Sequence, residues 1–355
     1  MTAVAARTAA RIDKREFGQL ADGRPVHEYR LDDGRGLQLA VLDYGAIVSG
    51  LWVPDRLGRS ANVVLGFDNL RDYELRNPFF GVVAGRYANR IAGARFSIDG
   101  REYRVDANDG EHCLHGGAAG FGRQLWQAEP QLQGGVASLL LRYTSADGEM
   151  GFPGRLAVAV RYTLDGNAGW RIDYEARSDQ PTLCNLTSHG YFNLAGRGTA
   201  LDHELQLFAS RSTEADAQGI PIAHRPVDGS RFDFRAPRRV GDAEVFDHNW
   251  VLDHPHDGRM HRAARLVCPT SGRALELHTT EPCVQFYAGA YLDGSLRGSN
   301  GEHYVRGAGL CLETQHAPDS PNRPAGPDWP STLLRPGDFY RSSTLHRFFS
   351  VDAER

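Results

Sequence analysis

The sequence predicts an all-β protein, a large antiparallel β-sandwich with few short helices. Short segments rich in β-branched and aromatic residues recur along the chain, and each ends at a turn signal. The 40 glycines and 18 prolines among 355 residues are spread widely, which is typical of many short elements joined by turns. No amphipathic helical period continues beyond about two turns, so long helices are not expected.

The predicted strands follow one another along the chain. RFSIDGREYRV (95–105) holds Asp99-Gly100 between two alternating runs and predicts a hairpin, because glycine accepts the positive φ of a tight turn. LVCPTSGRALELHT (266–279) predicts another hairpin that bends at Ser271-Gly272. The other strand predictions are the segments 138–148, 155–166, 170–179, 283–294 and 309–315, the last two as core strands.

Composition argues against several classes of protein. The formal net charge is −4 with no basic run, so the chain has no electrostatic footprint for nucleic acid. The N-terminus lacks the apolar core of a secretory signal, and no apolar stretch approaches the roughly 18 residues that span a bilayer. Five cysteines without a CxxC pair fit free thiols in a reducing compartment. We therefore expect a cytoplasmic protein that binds neither nucleic acid nor membrane.

One histidine stands in an apolar segment that leaves space around it. In LTSHGYFNLAG (186–196), His189 lies between Ser188 and Gly190, two residues of little bulk. A buried imidazole that is satisfied by backbone hydrogen bonds explains this segment taken alone. A proton-transfer residue at the floor of a pocket is the functional alternative.

A glutamate lies in a strand that is otherwise apolar. In GLCLETQ (309–315), Glu313 follows Cys311 and Leu312, and Gln315 faces the same side of the strand. A buried carboxylate is costly to desolvate unless it is paired or neutral. Burial also raises its pKa towards the range of a general base. A purely structural buried pair is the alternative.

Two further segments offer binding groups. GRYANRIAGARF (85–96) carries Asn89 and Arg90, and the planar fork of an arginine can hold hydroxyls or a carboxylate. An arginine that pairs structurally with an acid is an equal alternative. In HCLHGG (112–117), two glycines after His115 let the backbone come close to whatever this histidine faces. A turn with an incidental histidine explains that motif as well.

Asp247 begins DHNWVL (247–252), where its carboxylate can accept hydrogen bonds from sugar hydroxyls or cap a turn. Three nearby histidines raise the question of a metal, but their surroundings are typical of a solvated loop, and we expect no metal there; they are His254, His256 and His261. The chain has no GxSxG elbow, P-loop or HExxH motif, and no GxGxxG loop opens a βα unit. One glutamate and two histidines near small residues therefore indicate proton transfer.

Taken in order, these segments resemble the galactose mutarotase (aldose 1-epimerase) family. The resemblance extends from about residue 30 to the C-terminus. Each segment alone is weakly specific, whereas eight in the family's order are specific. The matching stretches are GRYANRIAGARFSIDGREYRV, HCLHGG, GFGRQLW (120–126), DGEMGFPG (147–154), LTSHGYFNLAG, FDHNWVL (246–252), VQFYAGAYLDG and GLCLETQHAPDSPN (309–322).

The resemblance implies a single large β-sandwich with an open groove that binds a hexose. It also implies an isomerase that opens and recloses the sugar ring by acid–base catalysis and needs no cofactor. Glu313 would be the general base, His189 the general acid, and His115 a group that holds the ring and its oxygen. The residues implied to bind the sugar otherwise are Asn89, Arg90, Asp247 and Gln285.

The chain departs from the family pattern in two places. Ser188-His189-Gly190 stands where the family usually has Asn-His-Ser, so His189 has fewer polar neighbours in sequence. The first twenty residues match none of the family's segments, and we expect residues 1–20 to be a disordered extension. The prediction is then one β-sandwich domain over residues 21–355. Length and strand count alone would also fit two stacked domains.

Two other classes of function remain alternatives. A glycoside hydrolase would need a second carboxylate, for which Asp247 is the candidate. A non-catalytic sugar-binding protein would use aromatic side chains such as Tyr191 and Phe286 as stacking platforms. Galactose, glucose and other free aldoses fit the sequence equally well. Phosphorylated sugars fit less well, because no second arginine is evident beside Arg90 in sequence, and only folding could bring Arg86 or a distant arginine close to it.

Overall fold

Antiparallel β-strands make up almost all of the regular structure. The computed structural model describes residues 8–241 and 245–352, and within these ranges α1 (Leu70–Leu75) is the one α-helix. The strands of the first part of the chain are β1 (Arg11–Gln19), β2 (Pro25–Asp32), β3 (Gln38–Leu42), β4 (Val48–Pro54), β5 (Ser60–Asn62), β6 (Val83–Ala84), β7 (Arg90–Ile91), β8 (Arg95–Ile98), β9 (Arg101–Arg104), β10 (Cys113–Leu114), β11 (Gln127–Gln133), β12 (Val136–Ser145), β13 (Leu156–Leu164) and β14 (Gly169–Ser178). Those of the second part are β15 (Thr182–Leu183), β16 (Thr187–Ser188), β17 (Tyr191–Phe192), β18 (Glu204–Leu207), β19 (Arg211–Ala215), β20 (Pro221–Pro226), β21 (Arg238–Arg239), β22 (Asp247–Val251), β23 (His261–Val267), β24 (Arg273–Thr279), β25 (Cys283–Tyr287), β26 (Leu310–Gln315), β27 (Leu333–Leu334) and β28 (Tyr340–Ser350).

These strands form three large sheets and four two-stranded ribbons. The five-stranded sheet is the meander β1-β2-β3-β4-β5. The nine-stranded sheet has the order β11-β12-β13-β14-β28-β24-β23-β18-β21, and the six-stranded sheet the order β17-β26-β25-β22-β19-β20. The ribbons are β7 with β10, β15 with β27, β6 with β16, and β8 with β9.

One hydrophobic core joins the three large sheets. It takes Leu39 from the five-stranded sheet, Val160 from the nine-stranded sheet and Leu312 from the six-stranded sheet, each at most 3% exposed. Hydroxyl contacts also cross between the sheets: Thr314 and Thr344 lie 2.7 Å apart, oxygen to oxygen. The back face of the six-stranded sheet is therefore buried against the nine-stranded sheet, and alternate side chains of its strands point to the front face.

The all-β prediction is confirmed, and so are the predicted hairpins. Asp99 and Gly100 both have positive φ, at 50° and 81°, between β8 and β9, which is the geometry of a two-residue hairpin turn. The bend at Ser271-Gly272 joins β23 to β24. The segments predicted at 138–148, 155–166 and 170–179 correspond to β12, β13 and β14.

The N-terminal segment differs from the expectation of a disordered extension over residues 1–20. Residues 11–19 form β1, which pairs with β2 from Arg11 opposite Asp32 to Gln19 opposite Pro25. Arg11 also forms an ion pair with Asp32, at 2.9 Å. The remainder of the expectation, residues 1–7, lies outside the described residues. Within the described ranges, no helix is long and apolar enough to cross a membrane.

Candidate active site

The front face of the six-stranded sheet carries a row of polar side chains. Gln285 of β25 pairs with Glu313 of β26 on one side and with Asn249 of β22 on the other. Because side chains alternate between the faces of a strand, all three point away from the core that buries Leu312 and Phe286. Glu313 is only 2% exposed, although its side chain points away from this core.

His189 lies in the two-residue connection between β16 and β17. Its backbone is fixed by two hydrogen bonds, from the His189 N–H to the Val82 carbonyl and from the Gly81 N–H to the His189 carbonyl, both 2.9 Å. Its ring stacks on Tyr191 at a centroid distance of 5.1 Å and on Phe79 at 5.7 Å, with interplanar angles of 19° and 22°. The plane of the imidazole is thus set by aromatic rings rather than by Ser188 or Gly190.

His189 and Glu313 form a close buried pair. His189 Nε2 is 3.6 Å from Glu313 Oε1, and Glu313 Oε2 is buried without a hydrogen-bond partner. Burial lowers the pKa of His189 to about 4, because the charged imidazolium loses its hydration. Burial, with the negative charge of Asp247 adding to it, raises the pKa of Glu313 well above its ordinary value. Burial therefore favours the proton on Glu313 over His189.

His115 completes the acid–base cluster and has a defined tautomer. Its ring centroid is 5.1 Å from that of His189 and 4.7 Å from that of Phe79. The backbone N–H of Asn89 donates to His115 Nδ1 at 3.2 Å, so the ring hydrogen of neutral His115 is on Nε2. Burial, and then the charges of His189 and Arg90, lower the pKa of His115 well below its ordinary value. His115 is therefore a neutral hydrogen-bond donor.

Gly116, the first glycine after His115, is required by backbone packing. A Cβ on Gly116 would lie 2.0 Å from the Gly85 carbonyl oxygen, and Gly116 has φ +87°. The close backbone approach expected at this motif is thus made to Gly85, which follows β6. The same packing brings β10 and β7 together, which places His115 beside Asn89.

Arg90 and Arg86 have different environments. Arg90 Nε donates to Asp109 Oδ2 at 2.8 Å, and its side chain is 20% exposed, so part of the guanidinium remains accessible. Arg86 is 2% exposed and donates to Ser145 Oγ at 2.8 Å and to the Pro153 carbonyl at 2.9 Å. Arg86 therefore supports the DGEMGFPG segment and does not act as a second anion-binding group beside Arg90.

Asp247 and Gln285 form a direct hydrogen bond at the other end of the row. Gln285 Nε2 donates to Asp247 Oδ1 at 2.7 Å, while Gln285 Oε1 is buried and has no partner. This bond fixes the amide orientation, so that one carboxylate oxygen and one amide oxygen are left as acceptors. Such acceptors are suited to ligand hydroxyl groups.

The cluster also has the composition of a metal site. His115, His189 and Glu313 are the one group of three potential ligands that converges within the described residues, with donor atoms within 4.8 Å of one another. However, Nδ1 of His115 accepts the Asn89 N–H, and its Nε2 carries the hydrogen. His115 would have to lose this hydrogen bond to bind a cation. The geometry therefore favours proton transfer over metal coordination.

All seven residues that the sequence indicates lie in this one cluster: Asn89, Arg90, His115, His189, Asp247, Gln285 and Glu313. Phe79, Cys311 and Asp109 contact them, but no sequence signal marks these three as site residues. Phe79 is unusual only in its backbone, with φ +70° in a bulky residue, which the sequence does not show. The three loop histidines near residue 254 lie apart from the cluster, and His261 pairs with Asp257 at 2.8 Å.

Known proteins are similar to this chain in both sequence and fold. The family model described as aldose 1-epimerase matches residues 27–347. A mouse (Mus musculus) galactose mutarotase is 42% identical over 347 residues, which cover 95% of this chain and 98% of that protein. An aldose 1-epimerase of Escherichia coli (strain K12) is 34% identical over 342 residues, covering 93% and 97% respectively. The galactose 1-epimerase structure from Lactobacillus acidophilus has a TM-score of 0.84 and 25% identity, covering 97% of this chain and all of that one.

The fold, the site and these matches define an isomerase that is built on an antiparallel β-sandwich. An aldose epimerase homologue from C. elegans has the same architecture, with a TM-score of 0.82 and 29% identity over 97% of this chain and 100% of its own. The chain belongs to the aldose 1-epimerase family.

Proposed function

We propose that this protein is a mutarotase, which interconverts the α and β anomers of a free aldohexose such as galactose or glucose. The observation that carries the proposal is the buried pair of Glu313 and His189, 3.6 Å apart and beside His115. Relatives of similar length named galactose mutarotase and aldose 1-epimerase support it. Mutarotation requires one base and one acid near the anomeric centre, and this pair supplies both.

The reaction needs two proton transfers in each direction. Glu313 accepts the proton of the C1 hydroxyl, and His189 donates a proton to the ring oxygen while the bond from C1 to the ring oxygen breaks. The product is the open-chain aldehyde with a free C5 hydroxyl. After rotation about the C1–C2 bond, His189 takes back the C5 hydroxyl proton as this oxygen attacks C1. Glu313 returns a proton to the former carbonyl oxygen, so the protons balance over one turnover.

Burial decides which member of this pair binds a proton more readily. It raises the pKa of Glu313 and lowers the pKa of His189, so a proton that the two groups share lies preferentially on the carboxyl group. Transfer of that proton to His189 generates the carboxylate and the imidazolium that ring opening requires. The short separation of Nε2 and Oε1 allows this exchange when the substrate binds.

The remaining residues of the cluster have roles in binding. His115 offers its Nε2–H as a donor to a sugar oxygen, because Asn89 occupies its Nδ1. Asp247 and Gln285 present acceptors to sugar hydroxyls, and the accessible part of Arg90 is a further donor. Since Arg86 is fully engaged with the protein, a free sugar fits this site better than a sugar phosphate.

We also infer a cytoplasmic location. The five cysteines, Cys113, Cys184, Cys268, Cys283 and Cys311, are all buried free thiols. Free thiols fit a reducing compartment.

Polarimetry on fresh α-D-galactose or α-D-glucose, corrected for the spontaneous rate, tests the function. Glu313→Gln and His189→Asn should each lower kcat at least 100-fold, since a positioned acid or base contributes roughly 10²–10⁴-fold. Glu281→Gln is the matched control, because Glu281 is also buried and pairs with His316 at 2.8 Å. This control should keep the wild-type rate.

Three results would contradict the proposal. Rates of the Glu313 and His189 variants within about threefold of wild type would remove the pair from catalysis. Release of reducing sugar from an aryl glycoside would indicate a hydrolase. Saturable galactose binding without any acceleration of mutarotation would indicate a sugar-binding protein.

A further inference from the structure

The working nitrogen of His189 is Nε2, and its other ring nitrogen contacts a thiol. Nδ1 lies 3.5 Å from the Sγ atom of Cys311, and both residues are buried. Cys311 is on β26, two residues before Glu313 and on the same face, opposite Tyr191 of β17. The strand that supplies the proposed base therefore also supplies the partner of the proposed acid.

The Cys311 contact is the one hydrogen bond to another side chain that His189 makes within the described parts of the chain. The stacked rings of Phe79 and Tyr191 fix the plane of the imidazole. Stacking allows either ring nitrogen to point towards Glu313, whereas a hydrogen-bonding atom on one side of the ring favours one of the two orientations. A catalytic base or acid is usually oriented by such a third group, most often a carboxylate or a backbone carbonyl.

A thiol in this position differs from a carboxylate in two ways. Burial raises the pKa of Cys311 well above its ordinary value, so the group stays an uncharged S–H. A neutral thiol can accept a hydrogen from Nδ1–H or donate one to Nδ1, so the contact persists when the charge of His189 changes. The thiol also adds no negative charge next to the imidazole. A negative charge there would hold the proton on His189.

We propose that Cys311 is a positioning residue that holds Nδ1 of His189, so that Nε2 faces Glu313 and the sugar ring oxygen. This assignment rests on the proposed function, in which His189 exchanges a proton through Nε2. The two imidazoles then have separate partners and separate tasks. The Asn89 backbone keeps His115 a hydrogen-bond donor through Nε2, and the Cys311 thiol keeps the Nε2 of His189 free to exchange a proton.

The test compares Cys311→Ala with Cys311→Ser. Alanine removes the partner of Nδ1, so we expect kcat to fall about tenfold while KM stays within twofold. Serine retains a group that donates and accepts, and it should recover kcat to within about threefold of wild type. Cys268→Ala, which truncates another buried cysteine outside the cluster, is the matched control and should keep wild-type kinetics.

A second readout is the hydrogen bonding of Nδ1 of His189, measured by ¹⁵N NMR in the substrate-free protein. Wild type and Cys311→Ser should show the Nδ1 shift of a hydrogen-bonded nitrogen, and in Cys311→Ala this shift should move towards that of a nitrogen without a partner. An unchanged ¹⁵N pattern together with unchanged kcat in Cys311→Ala would overturn the proposal. Equal losses in the alanine and serine variants would also overturn it, since the cysteine would then act by packing alone. If wild type does not accelerate mutarotation, the proposed function fails, while the NMR result still reports on the contact.

Discussion

Glu313 and His189 show how one environment changes an acid and a base in opposite directions. Loss of hydration disfavours the charged form of both groups, so burial raises the pKa of the carboxyl and lowers that of the imidazole. Elsewhere in the same chain, Glu281 is equally buried, and burial acts on it in the same sense. However, the charge and hydrogen bond of His316 hold the pKa of Glu281 below its ordinary value. The contrast shows that the geometry of the partner decides the outcome.

At the residue scale, we predict that Glu313 is protonated at pH 6, where an ordinary glutamate with a pKa of about 4.3 is almost fully ionised. Infrared difference spectra between wild type and Glu313→Gln at pH 6 should contain the C=O stretch of a neutral carboxylic acid. The same comparison for Glu281→Gln should lack that band, because the pKa of Glu281 is lowered. A carboxylate signal at Glu313 would contradict the prediction.

The elements around His189 depend on one another. Gly81 has φ +69°, and a Cβ there would lie 2.2 Å from the Val48 carbonyl oxygen, so this glycine lets the loop before β6 pack against the five-stranded sheet. The loop then hydrogen-bonds to the His189 backbone, and the Tyr191 hydroxyl donates to the Pro78 carbonyl at 2.9 Å. On the same loop, the ring of Phe79 packs against the imidazoles of His115 and His189.

At the element scale, we predict that Phe79→Leu lowers kcat about tenfold or more with little loss of stability. Leucine keeps an apolar side chain on the loop but removes the flat ring that orients His115 and His189, and small displacements of catalytic groups are costly. The measurement is kcat by polarimetry together with Tm. Phe339→Leu changes an exposed phenylalanine outside the cluster and should leave both values unaltered. A wild-type kcat in Phe79→Leu would show that the backbone alone holds the histidines.

For the molecule as a whole, local sequence signals predicted the strands, and distant contacts decided the site. The segment GLCLETQ was sufficient to predict a core strand with Glu313 and Gln315 on one side, and Asp99-Gly100 to place a hairpin. The orientation of His189 depends on Val82, Phe79 and Cys311, which are far away in sequence, and local patterns carry no information about such contacts. The family resemblance, rather than periodicity, grouped the seven site residues.

The whole fold also buries histidines outside the site. His346 of β28 stacks on Trp170 at a centroid distance of 4.3 Å, lies opposite Leu277 and is 3% exposed. Burial lowers the pKa of His346 to about 3 and that of His203 to about 4. In the unfolded chain, each histidine binds a proton below a pH of about 6.5. At pH values between the lowered pKa of the folded protein and about 6.5, the unfolded state binds more protons than the folded state. These histidines therefore make the fold less stable as the pH falls through this range.

At the scale of the molecule, we predict that His346→Phe reduces this acid sensitivity. The phenyl ring can keep the stacking on Trp170, and the variant no longer gains a proton on unfolding. When the pH is lowered from 7 to 5, the free energy of unfolding of the variant should fall by about 2 kcal/mol less than that of wild type. This is the linkage expected for one histidine of unfolded pKa about 6.5. Urea unfolding at both pH values measures the difference, with the exposed His303→Gln as a control that should keep the wild-type dependence. An identical pH dependence in wild type and His346→Phe would mean that His346 takes up its proton in the folded protein, which would require the core between β28 and β14 to admit a charge.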